Sequence, residues 1–189
     1  RYIWEQAAAK LGEWKKAGIN MSISVNISPK DFYYIDIFNT FAGLVKKYNI
    51  EPSNLKIEIT ETTIMSDVPN LMGELEELRK AGFTIEMDDF GSGYSSLNTL
   101  KDINVDVLKV DMGFIKETKN VKKSRIILAS VIKMAKELNL LIITEGVETE
   151  EQVDNLTKLG CDVFQGYYFS KAIDVNEFEK RYLYRKKAG

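Results

Sequence analysis

Strand-like and helix-like stretches alternate along this whole sequence, and that alternation restricts the fold more than any other feature. Helical spacing over residues 2–17 repeats Ile3, Ala7, Leu11 and Trp14, with Gly18 placed to end the helix. A strand is expected over 22–27, followed by a Ser28-Pro29 cap and a helical region to about residue 48. The next strand is expected over 55–60, and Leu71, Leu75 and Leu78 then mark a helix within 68–80, closed by Gly82. Strands over 83–88 and 107–111 precede a helix within 122–138 whose apolar face would be Ile127, Val131, Met134 and Leu138. A strand over 140–144, a helix opened by a Thr149/Gln152 capping box and ended at Gly160, a strand over 162–165 and a helix near 175–184 complete the series.

Six strands separated by helices describe a parallel sheet with helices packed against it. Six is two fewer than a closed (β/α)8 barrel needs, and an open doubly wound sheet has the same periodicity. The 189 residues are 44% hydrophobic and 29% charged, enough for a single domain, 1–189, with its own core. Arg1 opens the chain without a methionine or a leader pattern, so the expectation is a domain cut from a longer protein. Apolar runs such as 126–130 and 138–143 are far below the roughly twenty residues of a membrane span. The segment is therefore expected to make no membrane contact and to be cytoplasmic, leaving open an anchor elsewhere in the parent protein.

A net charge of −2 gives no broad basic surface for a DNA or RNA duplex. Cys161 is the single cysteine, which excludes an internal disulfide and suggests a reducing compartment and a buried, space-filling role. Histidine is absent. Without imidazole or paired thiols a zinc site has no ligands, and proton transfer near neutral pH falls to shifted carboxylates, lysine or metal-bound water. Oxygen donors favour Mg2+ or Mn2+.

Polar residues gather at the C-terminal ends of the expected strands: Asn26, then Glu58 and Glu61, Asp88 and Asp89, Lys109 and Asp111, Glu145, and Gln165. In a parallel α/β fold that rim is where active sites are built. Each residue also has a plain explanation. Asn26 is a turn former, Glu58 shares a solvated strand face with Lys56 and Thr60, and Lys109 between Leu108 and Val110 could carry its stem across apolar surface to water. Asp88 and Asp89 are adjacent carboxylates whose repulsion a divalent cation would relieve, with Asp88 the expected bridging ligand. Together the carboxylates, amide and lysine suit a pair of hard cations acting on a phosphate. Gly91-Ser92-Gly93 lacks the phosphate-loop pattern and reads as a sharp turn after the acidic pair.

The runs Ser24-Val25-Asn26-Ile27-Ser28, Glu58-Ile59-Thr60-Glu61, Asp88-Asp89-Phe90-Gly91-Ser92-Gly93-Tyr94-Ser95-Ser96-Leu97, Leu108-Lys109-Val110-Asp111, Glu145-Gly146-Val147-Glu148-Thr149 and Gln165-Gly166-Tyr167 resemble, in order, the motifs of bacterial EAL domains. The resemblance implies a (β/α)8 TIM-like barrel, incomplete at its N-terminus with about six of eight strands, that hydrolyses cyclic di-GMP to pGpG with Mg2+ or Mn2+. It implies Asn26, Glu58, Asp88, Asp89 and Glu145 as metal ligands, Glu145 also as general base, and Lys109 beside the attacking water. Glu61 corresponds to a glutamate that steadies the loop after the paired aspartates, a loop linked in the family to dimerisation. Asp111, Glu148 and Gln165 fall at substrate-side or supporting positions. Ser92 stands where threonine is commoner, and the Glu-Ala-Leu tripeptide that names the family is absent from these residues. The expectation is an upstream sensory or GGDEF domain, a possible homodimer, an active parent protein and weak or no turnover by this stretch alone. A catalytically inactive cyclic di-GMP receptor of the same fold is the alternative.

Overall fold

The computed structural model describes residues 1–66, 68–91, 100, 101, 103–111 and 121–184. Its six strands are β1 (Ile23–Asn26), β2 (Leu55–Thr60), β3 (Ile85–Asp88), β4 (Val107–Asp111), β5 (Leu141–Glu145) and β6 (Val163–Phe164). They form one sheet in the order β1-β2-β3-β4-β5-β6, every pair parallel. A doubly wound sheet reverses its strand order part-way, whereas this one never does. Monotonic order with helical crossovers is the arrangement of a (β/α) barrel. Among the described residues β1 and β6 each pair on one side, so the sheet is an open half-barrel.

Seven of the covering elements fix the strands in place. Helix α1 (Tyr2–Lys16) precedes β1, α2 (Pro29–Tyr34) and α3 (Ile37–Tyr48) follow it, and α4 (Glu61–Ile64) and α5 (Leu71–Lys80) follow β2. Helix α6 (Val121–Glu137) lies between β4 and β5, and α7 (Glu150–Leu159) precedes β6. The chain then runs through a short α8 (Val175–Phe178) into a π-helical turn, Glu179–Leu183.

Residues alternate across each strand, so one face packs on the helices. Ile57, Ile59, Ile85 and Leu108 are fully buried there against Phe41, Leu75, Leu78 and Ile132. Each such side chain contributes about 1.5–3 kcal/mol on burial. Trp4 packs on Phe41 at 5.2 Å between centroids, and Phe41 meets Phe83 edge-on at 5.9 Å.

Several expected elements changed on folding. The helical region expected to run to about residue 48 consists of two helices, because Ile35 is extended and Asp36 begins a new cap, accepting from the Asn39 N–H at 2.9 Å. In α1 the buried stripe is Trp4, Ala7, Ala8, Leu11 and Trp14, while Ile3 is exposed. In α6 the fully buried face is Ser124, Leu128, Ile132 and Ala135; of the expected stripe Val131 and Met134 pack half-buried against the core, while Ile127 and Leu138 are exposed. Both helices carry apolar residues on adjacent stripes, and periodicity alone does not choose between them. The Thr149/Gln152 capping box formed as expected, and Cys161 is buried with its Sγ 3.2 Å from the Thr144 hydroxyl.

Candidate active site

Register and alternation put Asn26, Glu58, Asp88, Lys109 and Glu145 on the face away from the core helices, at the C-terminal ends of successive strands. Asn26 pairs with Glu58 across β1 and β2, and Thr60 with Asp88 across β2 and β3. Lys109 pairs with Ile143 and Asp111 with Glu145 across β4 and β5.

The centre of the arrangement is the Lys109 ammonium. Its Nζ lies 2.8 Å from Oε1 of Glu58, 2.9 Å from Oε1 of Glu145 and 3.2 Å from Oδ1 of Asp88. The lysine side chain is 6% exposed, and the carboxylates are 12%, 17% and 16% exposed in that order. A stem running out to water would leave the ammonium exposed; this one is buried and shared by acids from three different strands. The Nδ2 of Asn26 donates to the other oxygen of Glu58 at 3.1 Å. As the side chains lie, no group of acidic, histidine or cysteine residues among those described is arranged to hold a metal ion. The acids are spaced around Lys109 instead.

Burial raises the Glu58 and Glu145 carboxyls above the usual range, against the pull of Lys109, and the nearby Asp88 charge pushes both further up. Burial also opposes the charge on Lys109, but its hydrogen bonds to Glu58 and Glu145 outweigh that, so the lysine holds its proton more firmly than a free one. One cation therefore serves more negative charge than it neutralises.

The remaining residues frame this group. Asp89 is exposed with φ +55°, a conformation uncommon for a residue bearing Cβ, and its N–H donates to Oδ1 of Asp88 at 2.9 Å. Burial, then Asp88 and Asp111, raise its carboxyl. Glu61 is fully buried in the first turn of α4 and accepts from the Gly91 N–H at 3.2 Å, anchoring the backbone just past the acidic pair. Gly91 turns there at φ +96°, as expected, while Ser92, Gly93 and the motif to Leu97 lie outside the described residues. Asp111, Glu148 and Gln165 are exposed on the same rim. The Glu148 N–H joins the α7 cap through Gln152, and the Gln165 carbonyl accepts from the Val147 N–H at 3.1 Å.

One pair escaped the sequence reading. Glu86, 1% exposed, lies beside Glu58 in register and is bound by Lys56 Nζ at 3.0 Å. Both residues sit two positions before a candidate ligand, Lys56 before Glu58 and Glu86 before Asp88. The period of two along each strand would have identified them.

The model of the EAL domain family matches residues 1–172. The chain belongs to the EAL domain family. Among curated proteins this EAL domain is 34% identical to the bifunctional diguanylate cyclase/cyclic di-GMP phosphodiesterase MucR of Pseudomonas aeruginosa, over 93% of this chain and 26% of that protein. Among solved structures it superposes on the PaMucR phosphodiesterase in complex with c-di-GMP at a TM-score of 0.85 and 34% identity, covering 94% of this chain and 72% of that one. It also superposes on BlrP1 of Klebsiella pneumoniae in a manganese and c-di-GMP complex, at a TM-score of 0.78 and 28% identity, covering 88% and 42%. The chain spans about a quarter of the length of the first curated relatives it matches. No helix among the described residues of the EAL domain is long and apolar enough to cross a membrane.

Proposed function

We propose that this EAL domain, read as one unit over 1–189, hydrolyses cyclic di-GMP to linear pGpG with Mg2+ or Mn2+. The observation that carries the proposal is the convergence of Glu58, Asp88 and Glu145, from three strands, on one buried lysine at the C-terminal rim. The manganese and c-di-GMP complex of a relative supports the same chemistry.

The donor set suits a hard cation. It is made of oxygens, it carries more negative charge than Lys109 balances, and Asn26 spends its amide nitrogen on Glu58, leaving its oxygen to ligate. In this reading Asn26, Glu58, Asp88, Asp89 and Glu145 hold the ions. Such ions, when bound, activate water and stabilise the leaving oxygen of an in-line displacement.

The chain's own groups divide the remaining work. Lys109 keeps its proton, so it acts as fixed positive charge toward phosphate oxygens and not as a base. Glu145, raised by burial, is the better proton acceptor at neutral pH and takes the proton of the attacking water. Glu61 holds the backbone that follows Asp89. Asp111, Glu148 and Gln165 border the dinucleotide from the exposed rim. A second subunit and a neighbouring sensory or GGDEF domain, in a cytoplasmic protein, belong to the same proposal.

The test is to incubate the full natural protein carrying these residues with cyclic di-GMP and Mg2+ or Mn2+. Chromatography should show pGpG, and Glu145→Gln should lower its rate by about 100-fold or more, from the lower end of a general base's contribution upward. Nucleotide binding without pGpG would replace the hydrolase with a receptor. Absence of both binding and product would end both readings.

A further inference from the structure

The three acids around Lys109 come from strands β2, β3 and β5 and share a single ammonium from β4. The other buried acid on this face, Glu86, has its own cation in Lys56, so Lys109 is left to the strand ends. Without a positive charge at that point, three carboxylates, each less than a fifth exposed, would face one another in a poorly solvated site. Their strands would be pushed apart at the rim.

We propose that Lys109 is a built-in counter-cation that keeps the site assembled before metal arrives, and that a divalent ion loads by displacing its ammonium. The proposal rests on the metal-dependent reading above. The ammonium occupies Oε1 of Glu58, Oδ1 of Asp88 and Oε1 of Glu145, one oxygen of each acid. Mg2+ takes such oxygens at about 2.0–2.1 Å, and two cations cannot share the same lone pairs at contact. Lysine suits an exchangeable role because its charge sits on a four-carbon stem that can swing, unlike a planar guanidinium fork. Linkage fixes the consequence: whatever stabilises the metal-free site lowers its apparent metal affinity.

Lys109→Met keeps the stem and removes the charge. At neutral pH without metal its Tm should fall by about 5–15 °C, the loss expected on unpairing buried charges in a chain this long. Saturating Mn2+ should then restore more of the Tm than the same ion adds to the wild type, and calorimetry should give Mn2+ binding at least about tenfold tighter. Lys56→Met, which unpairs Glu86 instead, should lower Tm without that enlarged Mn2+ response. If Lys109→Met requires metal to fold at all, recovery of the helical circular-dichroism signal on adding Mn2+ is the same positive result. In the wild type, lysine side-chain NMR should show a protected Lys109 ammonium signal that shifts when Mg2+ is added.

Equal Mn2+ binding and equal Tm gain in wild type and Lys109→Met, or a Lys109 signal that Mg2+ binding leaves unmoved, overturns the counter-cation alone. Absence of Mg2+ and Mn2+ binding in both proteins overturns it together with the metal-dependent function.

Discussion

The indole N–H of Trp4 donates to the main-chain carbonyl of Asn26 at 3.0 Å, so a helix on the outside of the sheet holds the last residue of its edge strand. Trp4 is itself buried and packed on Phe41. The contact links core packing directly to the rim, because Asn26 in turn donates to Glu58.

Trp4→Phe should retain most of the ring packing and delete this hydrogen bond. The expected loss is about 0.5–1.5 kcal/mol by urea denaturation, the net worth of one half-buried hydrogen bond. Under the proposed function metal affinity should fall as well, and a variant unchanged in both stability and metal affinity would contradict the link.

The core face of α6 can be tested by neighbouring truncations. Leu128 is 2% exposed and Ile127 39% exposed. Leu128→Ala should cost about 2–5 kcal/mol, and Ile127→Ala less than about 1 kcal/mol. Thermal melts of the two variants decide which stripe faces the sheet.

Gly166 lies so close to Val147 that a Cβ there would sit 2.7 Å from the Val147 carbonyl carbon and closer still to its N and O. The same main chain binds Gln165 and Tyr168, at 3.1 and 3.0 Å. Gly166→Ala must therefore move backbone, not a side chain, and should cost more than about 2 kcal/mol. Hydrogen exchange at the Val147 amide should speed up with it.

Glu74 on α5 is raised by burial, with the charges of Asp36 and Glu77 adding to the effect, and its buried Oε2 has no hydrogen-bond partner among the described residues. Below the unfolded carboxyl value both states carry the proton and no penalty exists; above the raised folded value the whole penalty is expressed. Stability is thus lost as pH rises through that interval. Glu74→Gln should raise Tm at pH 7 by no more than about 2 °C, given its partial exposure, with the difference vanishing near pH 4. Melts at the two pH values measure it.

The sequence by itself determined the strands and which polar residues stand at their ends. β2 and β4 fell on the expected residues, Leu55–Thr60 and Val107–Asp111, because strand periodicity and flanking helix signals agreed there. Asn26, Glu58, Asp88, Lys109 and Glu145 stood out because polar residues ending apolar strands are conspicuous in one dimension. Only the tertiary structure decided what those residues do to one another. Burial decided between the two readings of Lys109 and made it the shared partner of three acids, and register set Glu86 beside Glu58 with Lys56 to neutralise it. It likewise chose Leu128 over Ile127 for the α6 core face. The physical reason is common to all of these: periodicity says which side of an element a residue occupies, but charge pairing and burial depend on distances between strands far apart in the chain.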